Sequence, residues 1–187
     1  MRVIAGVHRG RRLFGPRGNA IRPTSDRVKE ALFSILGTRV TMARVLDLFA
    51  GTGSIGIEAL SRGATHVTFV ESDGAALRLV QANLERCGFQ QQATVYGFPV
   101  QNFFRRETDR LIPYDIVFCD PPYASVPDLV TIIQRWRADW LTDDALVVIE
   151  HGKHTDLPST LGPLSLVKRY DYGDTALSRF QLAEKGR

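Results

Sequence analysis

The chain has 187 residues, 44% apolar and 24% charged, a length and balance that fit one folded domain and exclude a disordered one. No stretch approaches the roughly 18 apolar residues of a membrane span, and Met1-Arg2-Val3-Ile4 lacks the features of a secretory signal, so a cytoplasmic protein is expected. The formal charge of +4 is uneven: residues 1–30 carry eight Lys or Arg against Asp26 and Glu30, a net +6 that leaves −2 on the other 157 residues.

The opening reads as a β-hairpin, with Arg2 to Ala5 and Arg12 to Phe14 as strands and Gly6 and Gly10 available for the turn. Its arginines are interleaved with Val, Ile, Leu and Phe, which implies ordered structure displaying charge, a face suited to a polyanion such as nucleic acid. Gly15 to Asn19 is a loop. Thr24 or Ser25 caps a helix whose Val28, Ala31, Leu32, Ile35 and Leu36 share one face and which Gly37 ends. Strands then alternate with helices. Strands are expected at Val45–Phe49, His66–Glu71, Thr94–Tyr96, Tyr114–Cys119 and Leu146–Glu150. Helices are expected through Ile57 to Ser61, through Leu77 to Leu84, over Val100–Arg105 and over Leu129–Trp140. Leu164–Tyr172 and Thr175–Leu182 close as an antiparallel pair turning at Gly173-Asp174. Such alternation predicts an α/β fold with a mostly parallel sheet and helices on both faces.

Asp47 to Gly56 sits at the first strand-to-helix turn. Gly51, Gly53 and Gly56 spell G-x-G-x-x-G, with Glu71 twenty residues past Gly51 at the end of the next strand. Taken alone this fits a dinucleotide fingerprint as well as a methyl-donor turn. Asp47 separates the two readings. A carboxylate in the turn repels a pyrophosphate but suits S-adenosylmethionine, which carries a sulfonium and an ammonium and no phosphate. Glu71 would accept the ribose hydroxyls of either cofactor.

Asp120-Pro121-Pro122-Tyr123 ends the fourth strand, where open α/β sheets hold ligands. An aromatic amine is a poor nucleophile because its lone pair is delocalised into the ring. Acceptors on its N–H groups, here the Asp120 carboxylate and the Pro121 carbonyl, localise that lone pair toward a methyl sulfonium. The prolines stiffen the backbone, and the Tyr123 ring offers a stacking face. Other candidates are weaker. Cys87 and Cys119 are read as reduced thiols, Cys119 in the core. His151 and His154 are read as surface residues after a strand, with no metal site. Trp136 and Trp140 are read as the packed face of a helix, and Tyr170 and Tyr172 as strand residues or as lining of a base pocket.

Together, Arg22-Pro23-Thr24-Ser25-Asp26-Arg27-Val28, the Asp47–Gly56 turn running into Ile57-Glu58-Ala59-Leu60-Ser61-Arg62-Gly63, Val70-Glu71 and Asp120 to Tyr123 resemble the bacterial RsmD family. Its members methylate guanine N2 in 16S rRNA. The resemblance implies a Rossmann-like class I methyltransferase with a seven-stranded sheet over 25–187 and a basic hairpin extension over 1–24. It also implies a monomer acting on 16S rRNA within an assembling small subunit. By position, Asp47, Phe49, Ala50, Gly51, Thr52, Gly53, Ser54, Glu71 and Ser72 would hold S-adenosyl-L-methionine. Gly97 and Phe98 would take its adenine, where many methyltransferases place an acid or amide instead. Asp120, Pro121, Pro122 and Tyr123 would hold the guanine and carry catalysis. Arg2, His8, Arg9, Arg11, Arg12, Arg22, Thr24 and Arg27 would border the RNA. The rivals are a DNA amino-methyltransferase using the same tetrapeptide, a protein glutamine methyltransferase, an NAD-dependent oxidoreductase and a non-catalytic RNA-binding module. The chain is short for a separate DNA-recognition domain.

Overall fold

A computed structural model describes residues 1–16, 26–106 and 112–183. The expected helix caps Thr24 and Ser25, and Arg22 and Thr24, which were expected to border the RNA, lie outside them. The elements run α1 (Asp26–Leu36), β1 (Arg44–Leu48), α2 (Ser54–Ser61), β2 (His66–Glu71), α3 (Gly74–Cys87), β3 (Ala93–Gly97), α4 (Val100–Arg106), β4 (Tyr114–Cys119), α5 (Val126–Ile133), β5 (Leu141–Gly152), β6 (Thr160–Leu161), β7 (Leu164–Tyr172) and β8 (Thr175–Leu182). They build one sheet of order β3-β2-β1-β4-β5-β8-β7-β6. β1 to β5 are parallel, and β8, β7 and β6 join antiparallel. One face packs α1, α2 and α3 around Phe69, Phe118 and Val148, and the other packs α4 and α5 around Leu48, Phe103 and Ile149.

Several expectations need correction. The sheet has eight strands, not seven. The added β6 is a two-residue strand, and Gly162-Pro163 turns it back so that buried Leu161 pairs with buried Leu164; a run that short has no period to read. The helix expected over Leu129–Trp140 stops at Ile133. Trp136 follows it in a turn and Trp140 ends a 3-10 turn, and both indoles pack on Phe104 with ring centroids 4.8 and 4.9 Å away. Burying two indoles outweighs a few residues of helix propensity. His151 is not on the surface. It lies buried in β5, with Nδ1 on the Gly152 carbonyl at 2.9 Å and Nε2 on Ser178 Oγ at 2.8 Å. Because a carbonyl only accepts, Nδ1 carries the proton and Nε2 accepts from the serine.

The expected N-terminal hairpin is a tight antiparallel loop joined by one isolated bridge, Arg2 to Arg12. Short-range amide bonds support it, Val3 N–H to the Arg11 carbonyl and Gly10 N–H to the Val3 carbonyl, both 2.9 Å. Side chains of α2 hold the loop down. The fully buried Glu58 carboxylate accepts the Ile4 and Ala5 N–H groups at 2.7 and 2.9 Å and the Arg62 Nε at 2.8 Å. Lys29 of α1, 1% exposed, lies 3.6 Å from the same carboxylate and donates to the Arg2 carbonyl at 2.6 Å. Ser61 accepts from His8 N–H and donates to the Ala5 carbonyl. Gly6 crosses so close that a Cβ would sit 1.7 Å from the Ser61 carbonyl oxygen. Val3 and Leu13 thus join the same core as α1 and α2.

Removing one partner of a buried ion pair leaves the other uncompensated. Glu58→Ala should therefore lower unfolding stability by about 3–5 kcal/mol in denaturant melts. It should also speed hydrogen exchange at the Ile4 and Ala5 amides. Protection there unchanged from wild type would show that the carboxylate does not anchor the segment.

Candidate active site

The four parallel strands β3, β2, β1 and β4 end level with one another. Gly97 pairs with Glu71, and the β1 registers, Leu48 with Val70 and Leu48 with Cys119, bring Phe49 beside Glu71 and Asp120 one residue on. Strand order reverses between β1 and β4, with β2 and β3 added on one side and β4 and β5 on the other, so this edge opens at the switch point where open α/β sheets bind ligands. Backbone bonds lock the level: Ala50 N–H reaches the Val70 carbonyl at 3.1 Å and Asp120 N–H the Leu48 carbonyl at 3.4 Å.

The turn after β1 is tight. Phe49, Gly51 and Gly53 have φ of +60°, +55° and +76°, a left-handed conformation that glycine adopts freely and phenylalanine does not. Gly56 serves a different purpose. A Cβ there would lie 2.2 Å from the Phe69 ring, so α2 approaches β2 only through a glycine. Thr52 and Ser54 are buried in the turn, and Thr52 Oγ1 reaches Met1 Sδ at 3.3 Å.

Three carboxylates gather here. Asp47 is buried beneath the turn and accepts the Gly56 N–H on Oδ2 at 3.0 Å. Burial pushes its carboxyl well above the usual carboxylate range; the Gly56 N–H opposes that rise, and the charges of Asp120 and Glu71 add to it. Glu71 accepts Gly51 N–H on Oε2 at 2.7 Å, and Ser72 and Asp73 N–H on Oε1 at 2.7 and 2.8 Å. Those bonds use three of about four acceptor sites. Asp120 is half-buried, Pro121 buried and Pro122 exposed, its carbonyl accepting Ser125 N–H at 2.7 Å. Tyr123 opens a 3-10 turn, and its side chain lies outside the described atoms. Phe98 sits half-buried past Gly97, its ring 5.4 Å from Tyr96 and under the Arg106 guanidinium at 5.1 Å. Cys119 is buried beside Asp120, and burial drives its thiol far above its ordinary pKa, with Asp47 and Asp120 adding, so it is no nucleophile.

The structure therefore brings together, at one edge, the residues assigned to cofactor and target base. Of the residues assigned to RNA, Arg2, Arg9, Arg11, Arg12 and Arg27 are exposed around the N-terminal loop and the start of α1. His8 turns inward, its ring edge-on to Phe89 at 4.9 Å. Two residues that bind the site together were missed. Asn83, fully buried on α3, donates to the Thr52 carbonyl at 3.0 Å and bonds both the N–H and the C=O of Phe14. Glu58 has been described above. Each left a trace in the sequence, a polar side chain on the buried stripe of Ala76, Val80, Leu84 and Cys87, and an acid inside the apolar run of α2.

Fold and edge together define a Rossmann-like, S-adenosylmethionine-dependent methyltransferase. The chain belongs to the RsmD family, for the family model described as Conserved hypothetical protein 95 matches residues 1–181. It is 34% identical over 186 residues to Ribosomal RNA small subunit methyltransferase D of Escherichia coli, covering 100% of this chain and 92% of that protein. The protein of the same name from Haemophilus influenzae is 36% identical over 159 residues, covering 84% and 81%. A solved Escherichia coli structure, 34% identical, superposes with a TM-score of 0.82 over 97% of each chain. No helix among the described residues is long and apolar enough to cross a membrane.

The direction of the Asp47 shift is testable. A carboxyl whose folded pKa is raised contributes stability below its unfolded pKa and loses it as pH rises through the folded one. Asp47→Asn keeps an acceptor for Gly56 N–H but cannot ionise. The melting temperature of the variant relative to wild type should therefore climb as pH rises above about 4. A difference that stays flat or falls with pH would contradict a raised Asp47.

Proposed function

We propose that this protein transfers a methyl group from S-adenosylmethionine to the exocyclic N2 of a guanine in 16S rRNA. In this reading it acts in the cytoplasm, as a monomer, on rRNA within an assembling small subunit. The observation that carries the reading is the level row of Glu71, Phe49 and Asp120 over a glycine turn with Asp47 beneath it. The donor set fits the cofactor. Carboxylates suit a sulfonium, an ammonium and ribose hydroxyls, and they repel the pyrophosphate of a dinucleotide. When bound, S-adenosylmethionine supplies an electrophilic methyl group on sulfur.

The chain's own groups do the rest in this account. Glu71 orients the ribose with its remaining acceptor site while its other bonds fix the turn. Asp47 holds the turn's shape through Gly56. Gly97 and Phe98 would hold the adenine through their backbone groups and the Phe98 ring. Asp120 and the Pro121 carbonyl accept the amino protons of guanine N2 and aim its lone pair along the axis of displacement. Asp120 would take the proton released from N2 as the new N–C bond replaces the methyl–sulfur bond, whose electron pair stays with sulfur. The exposed arginines of the N-terminal loop attract the phosphates, a sequence-independent contribution that falls as salt rises.

Transfer of tritium from labelled S-adenosylmethionine to 16S rRNA or to partly assembled small subunits tests the whole reading. Label on DNA alone, or on no nucleic acid, would end it. Asp120→Ala should lose about 10²- to 10⁴-fold in rate and keep most of its cofactor affinity. In a salt titration of RNA binding, replacing Arg9, Arg11 and Arg12 by Gln should lower the slope of log K against log salt by about 2. An unaltered slope would remove the loop from the RNA face.

A further inference from the structure

We propose that Phe14 is a stacking seat for an unpaired nucleobase of the RNA, next to the edge where the target base is held; this rests on the RNA reading above. Phe14 is an aromatic residue left 47% exposed, and yet its position is tightly determined. The buried Asn83 amide grips it from both sides, accepting its N–H at 2.7 Å and donating to its carbonyl at 3.0 Å. The same amide donates to the Thr52 carbonyl, so one side chain ties the Phe14 backbone to the glycine turn. The Arg86 guanidinium lies over the ring 4.8 Å from its centroid, and its Nε is held by the Arg12 carbonyl at 2.7 Å.

A surface phenylalanine that only covered α3 would need no such clamp. Fixing the Phe14 backbone and the Arg86 guanidinium that faces the ring lowers the ordering cost that a flexible aromatic would incur on binding. Exposed Arg9, Arg11 and Arg12 beside it supply the charge to draw in a phosphate backbone. An aromatic face among arginines is how proteins hold single-stranded bases without reading their sequence. The chemistry therefore favours a base flanking the target nucleotide, whose phosphates the neighbouring arginines attract and whose flat face matches the ring.

The test uses the full chain and two probes, a single-stranded oligoadenylate of about ten nucleotides and an abasic chain of equal length. Wild type should bind the oligoadenylate more tightly. Phe14→Ala should weaken that binding roughly 5- to 150-fold and leave the abasic affinity where it was. Phe14→Trp should retain the preference. Should the alanine variant prove unstable, Phe14→Leu keeps the apolar contact without the π face and should show the same loss. Equal binding of the oligoadenylate by wild type and Phe14→Ala overturns the proposal, and so does an equal loss on both probes, which would mark a structural role. If wild type methylates RNA in either case, only the stacking seat fails. A wild-type protein that binds neither probe and methylates no RNA sinks the RNA reading itself.

Discussion

The buried carboxylate of Glu58 is the point on which the rest of the molecule turns. Burying an ionised acid is costly unless charge and hydrogen bonds compensate it. Here two backbone amides of the N-terminal loop, Arg62 and Lys29 do so together. The compensation ties three chain-distant parts to one atom group: the loop at Ile4 and Ala5, α1 at Lys29 and α2 itself. Without it, the Ile4 and Ala5 N–H groups would lose their acceptor and buried Lys29 its counter-charge.

That anchor matters for function because α2 has two working ends. At its start the turn of Gly51 and Gly53 is shaped by Asp47 and by the strained backbone of Phe49. At its other end Glu58 and Ser61 hold the basic loop. The helix is only eight residues long and buried throughout, so about 12 Å of rigid rod sets the distance between the glycine turn and the basic loop. Gly56 lets that rod lie against the Phe69 ring, and Asn83 repeats the link from α3, from Thr52 to Phe14. The proposed catalytic edge and the proposed RNA face are thus one packed unit, suited to chemistry that depends on positioning.

Much of this was legible in the residues alone. β7 and β8 fall at the limits expected for them, because Gly173-Asp174 marks the turn between them. The mostly parallel sheet followed from the strand–helix alternation, and the glycine turn from its spacing. What was not legible depended on partners far away in sequence. The two residues of β6 acquire meaning only when Leu161 meets Leu164. α5 stops early because Phe104, some thirty residues upstream, takes both indoles. His151 looked like a surface residue until Ser178 of β8 supplied a buried partner. Glu58 and Asn83 were visible as polar residues in apolar stripes, but what they hold in place was not.

The central claim is a specific modified nucleoside. Mass spectrometry of nuclease-mapped 16S rRNA from cells with and without this protein tests it most directly. The account predicts one N2-methylguanosine that is present with the wild-type protein, lost without it, and not restored by the Asp120→Ala variant. A 16S rRNA whose N2-methylguanosine content is the same with and without the protein would contradict it.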